Sequence, residues 1–216
     1  MLGMAIEVKD LWVYRIIPVQ NLETDLKKGL YSKAKAPVSA TRTVIGNKEI
    51  ISARDSRIVK CYPDTMVNDY VPFYFSVRTP MLYNIVTGMG VPQRAQREIV
   101  YLCCRLMDLA IEDMQWCFTN GNAAEKITKF YNNLKDLDKI DWKSIETTDF
   151  SYNNADGDED RIRKKHAEFL VKDFVPRSKI TEIAVLNAVV KEEVESIVSK
   201  CKLEIEIKVK PKFYFV

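Results

Sequence analysis

The stretch Asp69–Val86, DYVPFYFSVRTPMLYNIV, decides how the chain is read. Aromatic and β-branched residues over 70–77 predict a strand, broken by Pro72. Pro80 then opens a helix from about Met81 to Val86, because proline is tolerated only in a first helical turn. Strand and helix thus meet within a few residues. To the N-terminal side, WVYRIIPV (12–19) predicts a first strand ending at Pro18, and NLETDLKKGL (21–30) a short helix capped by Asn21 and ended by Gly29. To the C-terminal side, EIVYLCCRL (98–106) reads as a central strand and WCFTNGNA (116–123) as a short strand running into a turn. AAEKITKFYNNLKDL (123–137) reads as a helix with Ile127, Phe130, Tyr131 and Leu134 on one face. A polar Asn/Asp/Gly-rich loop follows. Then come an apolar run from Glu168, a strand in KITEIAVL (179–186), an amphipathic helix in AVVKEEVESIVSKC (188–201) and an alternating last strand in LEIEIKVKPKFYFV (203–216). Strands and helices mix without a regular βαβ rhythm, so the expected class is α+β in a single domain.

Composition narrows the function classes. A formal charge of +3 over 216 residues is too small for wholesale polyanion binding, which leaves only a local basic patch. The five cysteines, Cys61, Cys103, Cys104, Cys117 and Cys201, include no C-x-x-C pair, and Cys103 and Cys104 lie in an apolar run. Buried free thiols and a reducing compartment are expected. The N-terminus lacks the basic-then-apolar pattern of a signal peptide, and no window reaches the ~20 apolar residues of a membrane span. A soluble cytoplasmic protein is expected. No glycine-rich phosphate loop occurs, and one histidine, His166, makes a catalytic triad or a histidine metal site implausible. His166 itself reads as a solvated loop residue.

Glu168 is the unusual residue: an acid placed where the chain turns apolar, just after RIRKKHA. Taken alone it reads as an edge-strand acid facing water and paired with Lys164 or Lys172. Arg54 and Arg57 taken alone read as solvated loop arginines. The basic run Arg161, Arg163, Lys164 and Lys165, beside Asp156, Asp158, Glu159 and Asp160, taken alone reads as a neutralised solvent loop.

Several blocks together resemble the DarT family: DYVPFYFSVRTPMLYNI (69–85), FTNGNA (118–123), LDKIDW (137–142), HAEFLV (166–171), YRII (14–17) and IGNKEIISARDSR (45–57). The resemblance implies an ADP-ribosyltransferase fold, a split mixed sheet with flanking helices that holds NAD in a central cleft and needs no metal. It implies a toxin that transfers ADP-ribose from NAD to a base in single-stranded DNA, with thymidine the expected base, checked by a DarG-like macrodomain antitoxin. Guanine, RNA or protein as acceptor, and a degenerate nucleic-acid-binding module, are the alternatives. Residue by residue, it implies Glu168 as the catalytic glutamate and Arg54 as the second essential residue, acting on the attacking base nitrogen or on NAD phosphate. Arginine stays protonated, so a literal base role does not suit it. Arg15, Ile16, Ile17, Thr24 and Ser32 are the further implied NAD contacts. Val77, Arg78, Thr79, Pro80, Met81 and Leu82, with Arg161 and Arg163, are the implied DNA contacts. The NAD-binding loop is expected at about 31–57, the substrate loop at about 119–168, and a monomer overall. Arg15 and Pro18 stand where relatives often carry histidine, and Asn120 and Asn122 where aspartate and histidine are expected. These departures bear on base preference rather than on Glu168 or Arg54.

Overall fold

Strand β4 (Ile99–Arg105) shows how the core is built, since six of its seven residues are buried. Val100, Leu102 and Cys104 point into one apolar layer, and Ile99, Tyr101 and Cys103 into a second on the opposite face. Period-two alternation with both faces covered is the mark of a central strand. The computed structural model describes residues 7–37 and 42–215. In chain order its strands are β1 (Trp12–Pro18), β2 (Leu30–Tyr31), β3 (Tyr70–Tyr74), β4, β5 (Trp116–Thr119), β6 (Phe130–Tyr131), β7 (Glu168–Lys172), β8 (Phe174–Val175), β9 (Glu182–Val185) and β10 (Glu206–Val209). The α-helices are α1 (Val19–Lys28), α2 (Lys48–Asp55), α3 (Pro80–Thr87), α4 (Leu106–Leu109), α5 (Trp142–Glu146), α6 (Arg161–Lys165) and α7 (Ala188–Lys200).

Eight strands form one mixed sheet in the order β10-β9-β4-β1-β3-β7-β5-β6, and β2 and β8 form a small second sheet. β10 runs parallel to β9, and the other pairs are antiparallel. The large sheet is split in the middle. β1 and β4 pair over their whole length, from Trp12↔Arg105 to Pro18↔Ile99. β1 and β3 meet only at Tyr14↔Tyr74. The expected split α+β architecture is present.

Helices α1 and α7 cover one face through Leu22 and Leu26, and through Val190, Val194 and Val198 spaced four apart. Helix α3 covers the other through Leu82 and Ile85. Its N-cap is Thr79, whose hydroxyl accepts from the Leu82 amide at 3.3 Å, and Pro80 takes the first turn. Leu102 is fully buried between the layers, so Leu102→Ala is expected to lower unfolding free energy by about 2–5 kcal/mol in a denaturant titration.

Four local expectations are corrected. Asn21 lies inside α1 rather than capping it, and its amide is bonded both ways to the Thr43 backbone, at 2.8 and 3.0 Å. The segment 123–137 is not a helix. It makes turns, the edge strand β6 and a 3-10 turn at Leu134–Lys139, and Ile127 is 68 % exposed. The carbonyls of Glu125, Lys126 and Thr128, which a helix would bond internally, accept instead from Arg57 Nη2 at 2.9–3.3 Å. β3 runs through Pro72, paired with Leu170, rather than breaking there. The last strand is only four residues long, stopped before a 3-10 turn that begins at Pro211.

Candidate active site

Glu168 opens β7, which lies between β3 and β5, so the acid sits inside the sheet rather than at an edge. It is 1 % exposed. Its amide donates to Thr119 Oγ1 at 3.0 Å. Its Oε1 accepts from Arg54 Nη1 at 3.0 Å and from the Ala123 amide at 3.1 Å, while Oε2 accepts from Arg54 Nη2 at 2.9 Å. A two-pronged guanidinium–carboxylate contact of this kind is among the stronger polar interactions in proteins. Neither Lys164 nor Lys172 pairs with Glu168; they contact other acids.

Arg54 comes from the last turn of α2, a helix absent from the sequence expectation. Asn47 caps it, accepting from the Glu49 and Ile50 amides, and none of its residues is fully buried. Burial works against the Arg54 charge, but Glu168 outweighs it and holds the guanidinium above its ordinary pKa. Arg57 lies elsewhere, holding the 125–128 turn against Phe130.

Tyr74 faces Glu168 across the β3–β7 ladder and donates its hydroxyl to Met81 Sδ at 3.0 Å. Burial, and then the Glu168 charge, raise the tyrosine pKa, which keeps the phenol neutral. His166 is half-buried against Tyr74, with ring centroids 6.1 Å apart, and its Nδ1 lies 3.0 Å from the Ile162 carbonyl. Burial lowers its pKa. It is the C-cap of α6, packed beside the strand partner of Glu168 rather than lying in a solvated loop.

On the β1 side, Arg15 Nη1 donates to the Pro72 carbonyl at 3.0 Å, while its buried Nε has no partner. Burial lowers this guanidinium to a pKa of about 10. The Ile16 and Ile17 side chains are buried. Past Tyr14 the β3-facing edge of β1 has no strand partner among the described residues, so any contact from these two residues is through backbone groups. Thr24 is exposed on α1 and lines a cavity of about 100 Å³ with Asn21, Asp25, Tyr31 and Arg42. Asp25, 2 % exposed, is paired with Arg42. Ser32 is fully buried, and its Oγ accepts from the Lys35 amide at 3.3 Å. A larger open hollow of about 490 Å³, lined by Val86, Gln93 and Gln96, contains none of these residues.

The implied DNA contacts divide in two. Val77, Arg78 and Met81 are partly exposed. Thr79, Pro80 and Leu82 are buried, as cap, first turn and core of α3, so their side chains shape the segment rather than face a strand. Arg161 is 3 % exposed and tied to Asp156 and the Asp149 carbonyl. Arg163 binds Asp160, the Asn120 carbonyl and Thr128. A Cβ on Gly121 would run into the Arg163 guanidinium. Asn120 and Asn122 accept from the Lys129 and Ala124 amides and so form the turn.

Sequence reasoning missed Tyr74, Thr119 and the Ala123 amide. The Tyr74 register and the Ala123 amide leave no mark on residue type. Among the described residues no group of three His, Cys, Asp or Glu side chains is arranged to hold a metal, the five cysteines are free, and no helix is long and apolar enough to cross a membrane.

A family model described as "ssDNA thymidine ADP-ribosyltransferase, DarT" matches residues 14–215. A Thermus aquaticus protein named DNA ADP-ribosyl transferase is 33% identical over 200 residues, covering 92% of this chain and 85% of that one. An Escherichia coli O127:H6 protein of the same name is 29% identical over 204 residues, covering 94% and 93%. The solved structure of Thermus sp. 2.9 DarT in complex with ADP-ribosylated ssDNA superposes with a TM-score of 0.88 at 27% identity, over 100% of both chains. The same protein in complex with NAD+ gives 0.80 at 27% identity, over 95% of this chain and 98% of that one.

Proposed function

The chain belongs to the DarT family of DNA ADP-ribosyltransferases, and from that premise we propose that it moves ADP-ribose from NAD to thymidine in single-stranded DNA, with Glu168 and Arg54 as the catalytic pair. NAD is the donor substrate. The observation that carries the residue assignment is the bidentate Arg54–Glu168 contact, buried where the two half-sheets part.

Nicotinamide leaves with the electron pair of the glycosidic C–N bond, and positive charge develops on the ribose carbon and ring oxygen. A fixed carboxylate stabilises that charge as it forms, which is where a charged group lowers a barrier most. A carboxylate has about four acceptor positions. Arg54 and the Ala123 amide use three, which leaves one for a ribose hydroxyl. A base nitrogen then bonds to the sugar carbon as the electron pair of its N–H bond becomes available, and the proton passes to solvent water. Arg54 stays charged and stabilises the anion-like nitrogen or an NAD phosphate oxygen; it does not take the proton. Arg15, with a free Nε beside the split, and the unpaired backbone edge at Ile16 and Ile17 suit the nicotinamide end of the donor. Thr24 at its cavity suits the other end, and Ser32 acts by holding the loop between them. Segment 31–57 is thus assigned to the donor and 119–168 to the acceptor. Val77, Arg78 and Met81 would face the strand. A single strand offers its Watson–Crick edge without the cost of extruding a base from a duplex.

The test is mass spectrometry of homopolymeric oligonucleotides after incubation with NAD. A mass increase on oligo-T and none on oligo-G is expected; label on oligo-G alone would reject thymidine. NAD at 100 times its Kd should also stabilise the fold by about 2.7 kcal/mol, a rise in Tm of roughly 5–10 °C for a chain of this size. We further assign the protein as a cytoplasmic, monomeric toxin whose partner is a macrodomain that removes the modification. Family membership supports this, and purified macrodomain stripping label from oligo-T is its test.

A further inference from the structure

Helix α6 carries four basic side chains, and three are answered by acids. Arg161 pairs with Asp156, Arg163 with Asp160 at 2.5 Å, and Lys164 with Asp158 at 2.8 Å and Asp141 at 3.4 Å. Lys165 is different. It is 1 % exposed, and its Nζ donates to Ser76 Oγ at 3.0 Å and to the Ile145 carbonyl at 2.8 Å, with no carboxylate partner among the described residues. Every neighbouring element fails to supply one. The β3–α3 turn brings a second cation, Arg78, and His166 follows along the chain. The α5 side chains Lys143 and Glu146 are respectively paired with Asp156 and exposed. The loop after α5 offers the Phe150 ring, 6.0 Å from Nζ.

Arg78 is half-exposed; its backbone amide donates to the Tyr101 hydroxyl at 3.2 Å, and among the described residues its guanidinium has no hydrogen-bond or ion-pair partner. Its backbone is left-handed, φ 49°, which residues bearing a Cβ rarely adopt. Two adjacent cations without an acid oppose one another, and sealing one from water adds to the opposition. An arriving polyanion relieves both. The location fits, because Ser76 lies two residues beyond Tyr74, the partner of Glu168 across the ladder.

Resting on the reading of the protein as one that takes a DNA strand, we propose that Lys165 is a positioning residue for that strand: by gripping Ser76 it fixes the Val77–Arg78 turn, and with Arg78 it supplies the positive charge that receives a backbone phosphodiester beside the modified nucleotide. Arg161 and Arg163 are then ties within the loop. Lys165 does not touch DNA; it acts through Ser76 and through its charge. Burial, and then Arg78, lower its pKa to about 8, so the cation is present at neutral pH. A bound phosphodiester favours the protonated form, so affinity for the strand falls as pH rises through about 8.

The experiment is fluorescence anisotropy of a labelled oligo-T with the full chain, across salt and pH. Lys165→Met keeps the volume and strands no polar group, since Ser76 Oγ also bonds the Ile145 carbonyl at 2.8 Å. It is expected to weaken binding about tenfold and to flatten the salt dependence by up to roughly 0.7 in slope, the value for one neutralised phosphate on a single strand, through the loss of its charge and of the fixed Arg78 turn. The loss of affinity near pH 8 should vanish in Lys165→Met and in Lys165→Arg, which keeps its charge. A Lys165→Met protein with wild-type affinity and salt slope, or a Lys165→Arg protein that still loses affinity near pH 8, overturns the proposal. Binding is read without chemistry, so the two readings separate. Oligo-T that is bound but never modified rejects thymidine transfer and leaves Lys165 standing. Oligo-T modified by a variant that binds like wild type rejects Lys165 alone, and a wild type that does not bind oligo-T rejects both.

Discussion

Glu168→Ala is expected to reduce transfer of ADP-ribose to oligo-T by about a thousandfold or more, equivalent to roughly 4 kcal/mol of lost transition-state stabilisation. The acid sits at a built position: three hydrogen bonds orient its carboxylate and a fourth, from its own amide to Thr119, orients its backbone. Glu168→Gln separates charge from shape. The amide oxygen still accepts from Ala123 and fills the same space, but it carries no negative charge to oppose the developing cation, so a loss of similar size is expected. NAD should still raise the melting temperature of the glutamine variant, because most of the proposed donor contacts lie on β1, α1 and the loop after them. Nicotinamide release within tenfold of wild type in either variant would mean that another group stabilises the departing pyridine's sugar.

Arg54→Ala is expected to abolish transfer as well, and to destabilise the fold by about 3–5 kcal/mol, because it leaves a buried carboxylate without its cation. The pair is mostly enclosed, with side chains 11% and 2% exposed, so solvent screening offsets little of this. Arg54→Ala combined with Glu168→Gln should recover most of the stability and none of the activity. Chemical denaturation at neutral pH reads this, and a single variant as stable as wild type would show that the contact contributes little to folding.

Much of the frame was legible in the sequence for physical reasons. β1, β3, β4, β5 and α7 follow from alternation, β-branched content and caps, and those signals are strong where packing on both faces dictates residue type. Helix α2 was not legible, because it buries no residue completely and so shows no apolar stripe. The region 123–137 misled because its apolar spacing suits a helix, while its carbonyls are bonded to a side chain almost seventy positions away in the sequence. Within the site, the resemblance brought Glu168 and Arg54 together, and the structure bonds them. Arg161 and Lys165 differ in kind. Both belong to one basic run, yet the first is answered by an aspartate and the second by a hydroxyl and a carbonyl, a distinction that only three-dimensional neighbours make.

The gap between β1 and β3 has a mechanical consequence. Separating β1 from β4 would unzip a seven-rung ladder, whereas β1 meets β3 at one rung, joined by the reach of Arg15 to the Pro72 carbonyl and by the apolar cluster that Val13 and Ile17 share with Val71 and Phe73. The two half-sheets are thus joined by side-chain packing rather than by a ladder, with Glu168 on one and Arg15 on the other. Backbone donors and acceptors therefore stay open along the seam while the shared apolar core keeps its two sides in place.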